Sequence, residues 1–186
     1  MEEQKSFAEF VKFQKIPRLS RDCEITEKID GTNACIVITE DGQFLTGKRS
    51  GWRTPEKDNM GFSKWANERK DELMGLGIGR HFGEFYGQGI QRNYDLKEKR
   101  FALFNTHKWS DPLVRPKCCG VVPTLGIVPF DTLIIREIVI YLAMTGSQAV
   151  PGFMNPEGVV IRHLESNHLY KKTILNDEKS KGVQDE

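Results

Sequence analysis

The 186-residue sequence has almost no surplus charge: 27 Lys and Arg stand against 26 Asp and Glu, a formal net +1. No global basic field draws it to nucleic acid or to an anionic membrane, so a polynucleotide would have to be held by a local patch. It lacks any apolar run approaching the roughly 20 residues of a membrane helix, and no membrane partner is expected. The stretch Met1-Glu2-Glu3-Gln4-Lys5 is charged and holds no signal-peptide apolar core. Cysteine is sparse, with Cys23, Cys35 and the adjacent Cys118 and Cys119. That spacing fits neither a zinc site nor a disulfide framework. Free thiols in a reducing, cytoplasmic setting are the expectation. Internal repeats and low-complexity tracts are missing too, and the length suits one domain over 1–186.

The most informative stretch present is Glu27-Lys28-Ile29-Asp30-Gly31-Thr32-Asn33, followed at once by the apolar Ala34, Cys35, Ile36, Val37 and Ile38. A lysine at the mouth of a buried strand is costly unless it is paired or loses its proton. A lysine that loses its proton is a nucleophile. The alternative is a surface lysine beside a hairpin.

Phe7, Phe10, Val11 and Phe13 lead to Ile16-Pro17 and read as a short lead-in packed on the core. Residues 24–29 are extended, 34–39 form a buried strand, Asp41-Gly42 is a hairpin turn, and 43–48 return. This hairpin brings Lys28 near Lys48 and Arg49. Residues 51–61 read as loop. Ser63 is the expected N-cap of a helix over 64–74 that Gly75 stops. His81 to Tyr86 is aromatic and β-prone, Gln91 to Asn93 is loop, and 100–104 is a strand. Residues 111–130 hold four prolines and read as loop with short strands. Asp131 or Thr132 caps a helix to about Thr145, closed by Gly146 and nearly all apolar from 133 to 143, hence expected to be buried on much of its surface. After the turn at Asn155-Pro156, strand 158–162 pairs with 168–175, and a charged tail, 176–186, is expected to fray. The class is α+β, rich in antiparallel strands flanked by helices.

Read in order with the first stretch, Lys48-Arg49-Ser50-Gly51, Phe82-Gly83-Glu84-Phe85-Tyr86-Gly87, Phe101-Ala102-Leu103-Phe104-Asn105, Pro156-Glu157-Gly158-Val159-Val160 and Leu169-Tyr170-Lys171-Lys172 resemble the motifs of the covalent nucleotidyltransferases. These comprise ATP-dependent DNA and RNA ligases and mRNA capping enzymes. The resemblance is strongest to the RNA ligase 2-like branch, whose patterns residues 27–33, 48–51 and 82–91 reproduce. It extends from about Lys12 to Lys181.

It implies a nucleotidyltransferase (ATP-grasp-like ligase catalytic) fold as a single minimal, monomeric domain. It also implies an ATP-dependent RNA ligase that joins 5′-phosphate and 3′-hydroxyl ends, or seals nicked duplexes, through AMP bound to Lys28, with Mg2+ or Mn2+. Implied roles follow residue by residue. Glu84 binds the ribose, Phe104 stacks on adenine, and Glu27 with the Ile29 backbone reads the base edge. Arg49 and Asn33 contact phosphate or the nucleic-acid end, Lys171 contacts the α-phosphate with Lys172 beside it in the nucleotide site, and Glu157 holds the metal. Lys48 and Arg53 add to a local nucleic-acid patch.

The chemistry requires such types. Phosphoryl transfer is mostly positioning and electrostatics, so cations and metal-binding carboxylates must surround the amine. Bland readings stand beside some of these: turn chemistry for Glu157, core packing for Phe104, a solvated strand edge for Lys171 and Lys172. The sequence also departs from the pattern. The last motif usually has lysines two apart; here Lys172 follows Lys171 directly and Thr173 sits where the second would be. Alternation sends Lys171 and Lys172 to opposite faces, and the Tyr-Lys-x-Thr context, which resembles smaller ligase-family members, implies Lys171 inward. Asp30 stands where RNA ligase 2 has histidine. The sequence stops soon after the last motif, so a C-terminal accessory domain is not expected. A DNA ligase, a capping-type guanylyltransferase and a non-catalytic module that binds nucleotides or RNA ends are the alternatives.

Overall fold

Alternating apolar residues along ten strands, counted among the described residues, build two sheets. The computed structural model describes residues 10–58, 60–175 and 177. Phe7 of the lead-in and, apart from Asp177, the tail from Asn176 lie outside them. One sheet contains β1 (Asp22–Lys28), β8 (Thr124–Pro129), β9 (Gly158–His163) and β10 (Leu169–Thr173), in the order β10-β9-β1-β8. The other contains β2 (Thr32–Ile38), β3 (Phe44–Lys48), β4 (Gly51–Arg53), β5 (Gly79–Gly87), β6 (Lys99–Leu103) and β7 (Cys119–Val121), in the order β4-β3-β2-β5-β6-β7. Pairing is antiparallel except between β6 and β7.

Each sheet buries one face. Ala34, Ile36 and Ile38 of β2 point with Phe85, Phe101 and Leu103 onto α1 (Phe62–Asn67) and α2 (Lys70–Leu73). Phe62, Trp65, Phe85 and Phe101 form a mutual aromatic cluster there, with ring centroids 5.1 to 6.2 Å apart. Such packing adds to simple burial. The one-turn α3 (Thr106–Trp109) follows β6, and Cys23, Ile25, Val159 and Ile161 of the other sheet pack on Ile135, Val139 and Leu142 of α4 (Thr132–Thr145). A third cluster, Ile29, Tyr86, Tyr94, Ala102 and Val122, lies where the chain passes from β1 to β2.

Five expectations are corrected. The helix over 64–74 is two short helices and a 3₁₀ turn, Met74–Leu76. Asn67 Nδ2 donates to the Ser63 carbonyl, the local competition that Asn brings to a helix interior, and Arg69 sits at φ −118°, ψ 19°, off helical geometry. Ser63 does not cap: the helix begins at Phe62 behind Gly61, and the Asp58 carboxylate accepts from the amides of Gly61, Ser63 and Lys64. Part of the 51–61 loop is β4. The described lead-in does not pack on the core, since Phe10, Val11, Phe13 and Ile16 are all more than three-quarters exposed.

α4 likewise buries one side only. Leu133, Ile140, Tyr141 and Met144 face outward because a single sheet covers the helix. Its N-cap is Asp131, whose carboxylate accepts from the Leu133 and Ile134 amides. The aromatic cluster is the mechanical support of β5 and β6. Phe101→Ala should cost about 3–5 kcal/mol in urea unfolding, whereas Ile140→Ala on the open face of α4 should cost less than about 1 kcal/mol. Equal losses would contradict this division of the core.

Candidate active site

β1 turns Glu24, Thr26 and Lys28 toward one face by strand alternation. Its register sets Lys28 opposite Gly158, Thr26 opposite Val160 and Glu24 opposite Arg162. β10 continues the rows, with Lys171 opposite Val160 and Leu169 opposite Arg162. From the other sheet, Asn33 stands opposite Glu84 on the face away from the aromatic cluster. Between the two faces lies a cavity of about 1210 Å³ whose lining includes Lys28, Asn33, Arg49, Glu84, Phe104 and Lys171. Glu27, Ile29 and Lys48 also reach it.

Lys28 does not meet a cation first. Its Nζ donates to Glu157 Oε2 at 2.6 Å, and the two side chains are 23% and 2% exposed. The pair joins β1 to the start of β9 across 129 residues of chain. Glu84 accepts from the Gly31 amide (3.1 Å) and from Asn33 Nδ2 (2.9 Å). Burial nevertheless pushes its carboxyl up to about 7, with the Lys28 charge opposing and the Glu157 charge reinforcing the rise. Gly31 is required by close approach: a Cβ there would collide with the Phe85 carbonyl and lie 2.9 Å from Tyr86 Cβ.

The motif turn is braced by residues that sequence reasoning left as loop. Arg92 Nε donates to Asp30 Oδ2 at 3.0 Å, and Arg92 Nη1 to the Asn155 carbonyl and side chain. The Asp30 amide donates to the buried Tyr94 hydroxyl at 2.7 Å. Gln91, Asn93, Tyr94 and Asp95 all have positive φ, so the loop holds backbone strain to place that ring. Glu24 and Arg162 were missed too. Burial raises the Glu24 carboxyl, but hydrogen bonds from Thr106 and Arg162 outweigh it and hold it below the usual range. The partners lie 82 and 138 residues away, and no local pattern announces them.

Three expected ligand-binding side chains have other engagements. The Glu27 carboxylate, 1% exposed, accepts from Ser147 Oγ and from the Gln148 and Ala149 amides at 2.6 to 2.8 Å. It pins the loop after α4. Lys172 Nζ donates to Asp177 Oδ2 at 2.9 Å, and alternation points it away from Lys171. Arg53 folds onto its own hairpin, donating to the Trp52 carbonyl and to Ser50 Oγ.

A family model described as RNA ligase matches residues 21–174. The chain belongs to the RNA ligase family. Among solved structures, it is similar to a Naegleria gruberi RNA ligase variant with ATP and Mn at TM-score 0.62 and 20% identity, covering 82% of this chain and 48% of that one. A variant of the same RNA ligase with AMP and Mn matches at TM-score 0.60 and 20% identity, covering 83% of this chain and 50% of that one. An apo variant gives the same values. The chain thus spans about half the length of the solved structures it matches, and at this identity the likeness concerns the fold.

The donor set fits a divalent ion that arrives with phosphates. Glu157 contacts Lys28 directly, and Glu84 is near enough to feel the charge of both. Among the described residues no three or more His, Cys, Asp or Glu converge as a metal cage. Magnesium characteristically uses one or two carboxylates, waters and the substrate phosphates.

Glu84 generates a pH prediction. A carboxyl raised from 4.5 to about 7 in the fold contributes stability that is fully present below pH 4.5 and is lost as pH rises through about 7. Carboxyl ¹³C NMR of the nucleotide-free protein should show Glu84 titrating near 7, and a midpoint below 5 would contradict the burial argument.

Proposed function

We propose that this chain is the single adenylyltransferase domain of an ATP-dependent RNA ligase, with Lys28 forming a covalent bond to AMP. The observation that carries this reading is a lysine at the wall of a cavity with room for a nucleotide, with Arg49, Lys171, Glu84 and Phe104 around the same space. Membership of the RNA ligase family supports the substrate class, RNA ends bearing a 5′-phosphate and a 3′-hydroxyl.

In the first step Lys28 Nζ attacks the α-phosphorus of ATP. The N–P bond forms as the α–β phosphoanhydride breaks, and pyrophosphate leaves with the bonding electrons. Lys28 reacts as the neutral amine: one proton leaves its ammonium before attack and a second as the N–P bond forms, both passing to solvent, while the contact with Glu157 holds Nζ in position. Lys171 and Arg49 neutralise charge that develops on the α-phosphate. Phe104, 41% exposed at the cavity, offers its ring face to adenine, and Glu84 accepts from the ribose hydroxyls. In the second step a 5′-phosphate oxygen of RNA attacks the phosphorus of the adduct and the amine leaves. In the third a 3′-hydroxyl attacks that 5′-phosphorus and AMP departs. A divalent ion, magnesium or manganese, would be held by Glu157 and would supply charge neutralisation at the phosphates.

Incubation with α-labelled ATP and manganese, followed by a denaturing gel, should label the protein covalently. The label should vanish in Lys28→Ala. Failure of the unaltered protein to label with any divalent ion would overturn the proposal, and labelling by GTP in place of ATP would redirect it to capping chemistry. Nicked duplexes with RNA or DNA at the break then test substrate class.

The two lysines of β10 separate further. Lys171→Ala should slow adduct formation at least tenfold, about 1.4 kcal/mol of transition-state stabilisation. Lys172→Ala should change it less than threefold, because that side chain faces Asp177. Comparable losses would refute the assigned orientation.

A further inference from the structure

The face of the second sheet that forms one wall of the cavity continues beyond it. Register places Trp52 of β4 opposite Gly47 of β3, Gly47 opposite Cys35 of β2, and Cys35 opposite Phe82 of β5. The Phe104 amide donates to the Phe82 carbonyl, which extends the row to β6. Along this row Trp52 is 54% exposed, Phe82 53% and Phe104 41%. Neighbouring strands lie about 4.8 Å apart, so the Trp52 and Phe82 positions are separated by about 14 Å.

The Trp52 ring is seated rather than loose. A Cβ built on Gly47 would lie 3.2 Å from Trp52 Cε3 and 3.0 Å from Cys35 Sγ. Only glycine leaves that slot open, so one side of the indole rests on the sheet and the rest remains open to solvent. Cations flank the rings. Arg49, exposed in the turn between β3 and β4 three residues before Trp52, also lines the cavity. Arg80 is on the same face two residues before Phe82. It is near enough for its charge to offset part of the burial that raises the Cys35 thiol. Within these ladder positions the one carboxylate is Glu84, and it lies inside the cavity.

Exposed rings set between cations are what single-stranded nucleic acid uses, since every base has a π-face to stack and every linkage carries a negative charge. A protein partner would have no need of so cationic a border, and continuity with the cavity fixes where the ligand leads. We infer that Trp52 and Phe82 form a stacking platform for the bases of the RNA strand whose end enters the cavity, with Arg49 and Arg80 holding its phosphates. The inference rests on the RNA ligase reading for the identity of the strand. It adds the route by which the strand reaches Lys28, and it places Trp52 and Phe82 outside the nucleotide chemistry itself.

The test uses the full chain, without ATP, and a 5′-phosphorylated, fluorescently labelled single-stranded oligoribonucleotide. Anisotropy should show Trp52→Ala and Phe82→Ala each weakening binding roughly tenfold, the effect of removing one stacking ring. Trp52→Phe should remain within threefold of the unaltered protein, which a loss through misfolding would not allow. Adduct formation from labelled ATP without RNA should be unchanged within twofold in Trp52→Ala. Unchanged RNA affinity in both alanine variants, or no oligoribonucleotide binding by the unaltered protein, would overturn the platform. If the unaltered protein binds RNA and loses that binding in Trp52→Ala yet never forms the AMP adduct, the ligase reading fails and the platform stands.

Discussion

The contact between Lys28 and Glu157 organises this molecule. It ties the last residue of β1 to the residue preceding β9, the strand whose other edge pairs with β10 and its Lys171. An ammonium held only 23% exposed requires an opposing charge, and a carboxylate that is 2% exposed requires the same. Each makes the other tolerable, and their shared position is where the proposed chemistry needs a nucleophile beside a metal-binding carboxylate. The rest of the site is arranged to hold this pair still. Tyr94 and Arg92 brace the turn after Lys28, the Glu27 carboxylate locks the loop that follows α4, and Gly31 lets the turn pass against β5 without a gap.

The electrostatics of Glu84 follow from the same constraint. Its two accepted hydrogen bonds and the Lys28 charge favour the carboxylate, while burial and the Glu157 charge oppose it, and burial wins. Two carboxylates feel the charge of one ammonium, so the nucleotide-free cavity is poised between protonation states near neutral pH. A ligand bringing hydroxyl donors to Glu84 and phosphates to Arg49 and Lys171 would resolve that balance.

Much of the site was legible in the sequence because its motifs are local. Lys28, Gly31 and Asn33 lie within one turn and strand, and Lys171 could be told from Lys172 once the motif context was added to alternation. The hairpin at Asp41-Gly42 and the cap at Asp131 were legible for similar reasons, since turn and cap chemistry act over a few residues. What was not legible depends on distant partners. Glu27 looked like a ligand-reading carboxylate until its three donors arrived from 147–149. Tyr94 sits in a polar loop whose strained backbone no pattern reveals. The helix expected over 64–74 failed on a competition between Asn67 and the backbone, and Asp58, outside the helix, took the cap that Ser63 seemed placed to supply. α4 was read as largely buried from its apolar content, yet only Ile135, Val139 and Leu142 face a sheet. Composition states what a helix could bury, and the neighbouring elements decide what it does bury.

The central claim is that Lys28, and no other lysine, becomes bonded to AMP. Peptide mapping by mass spectrometry after incubation with ATP and manganese tests it most directly. The account predicts one AMP-modified peptide, carrying the modification on Lys28, with Lys171 unmodified. AMP on Lys171 or another lysine, or an unmodified Lys28 in protein that has consumed ATP to form pyrophosphate, would contradict it.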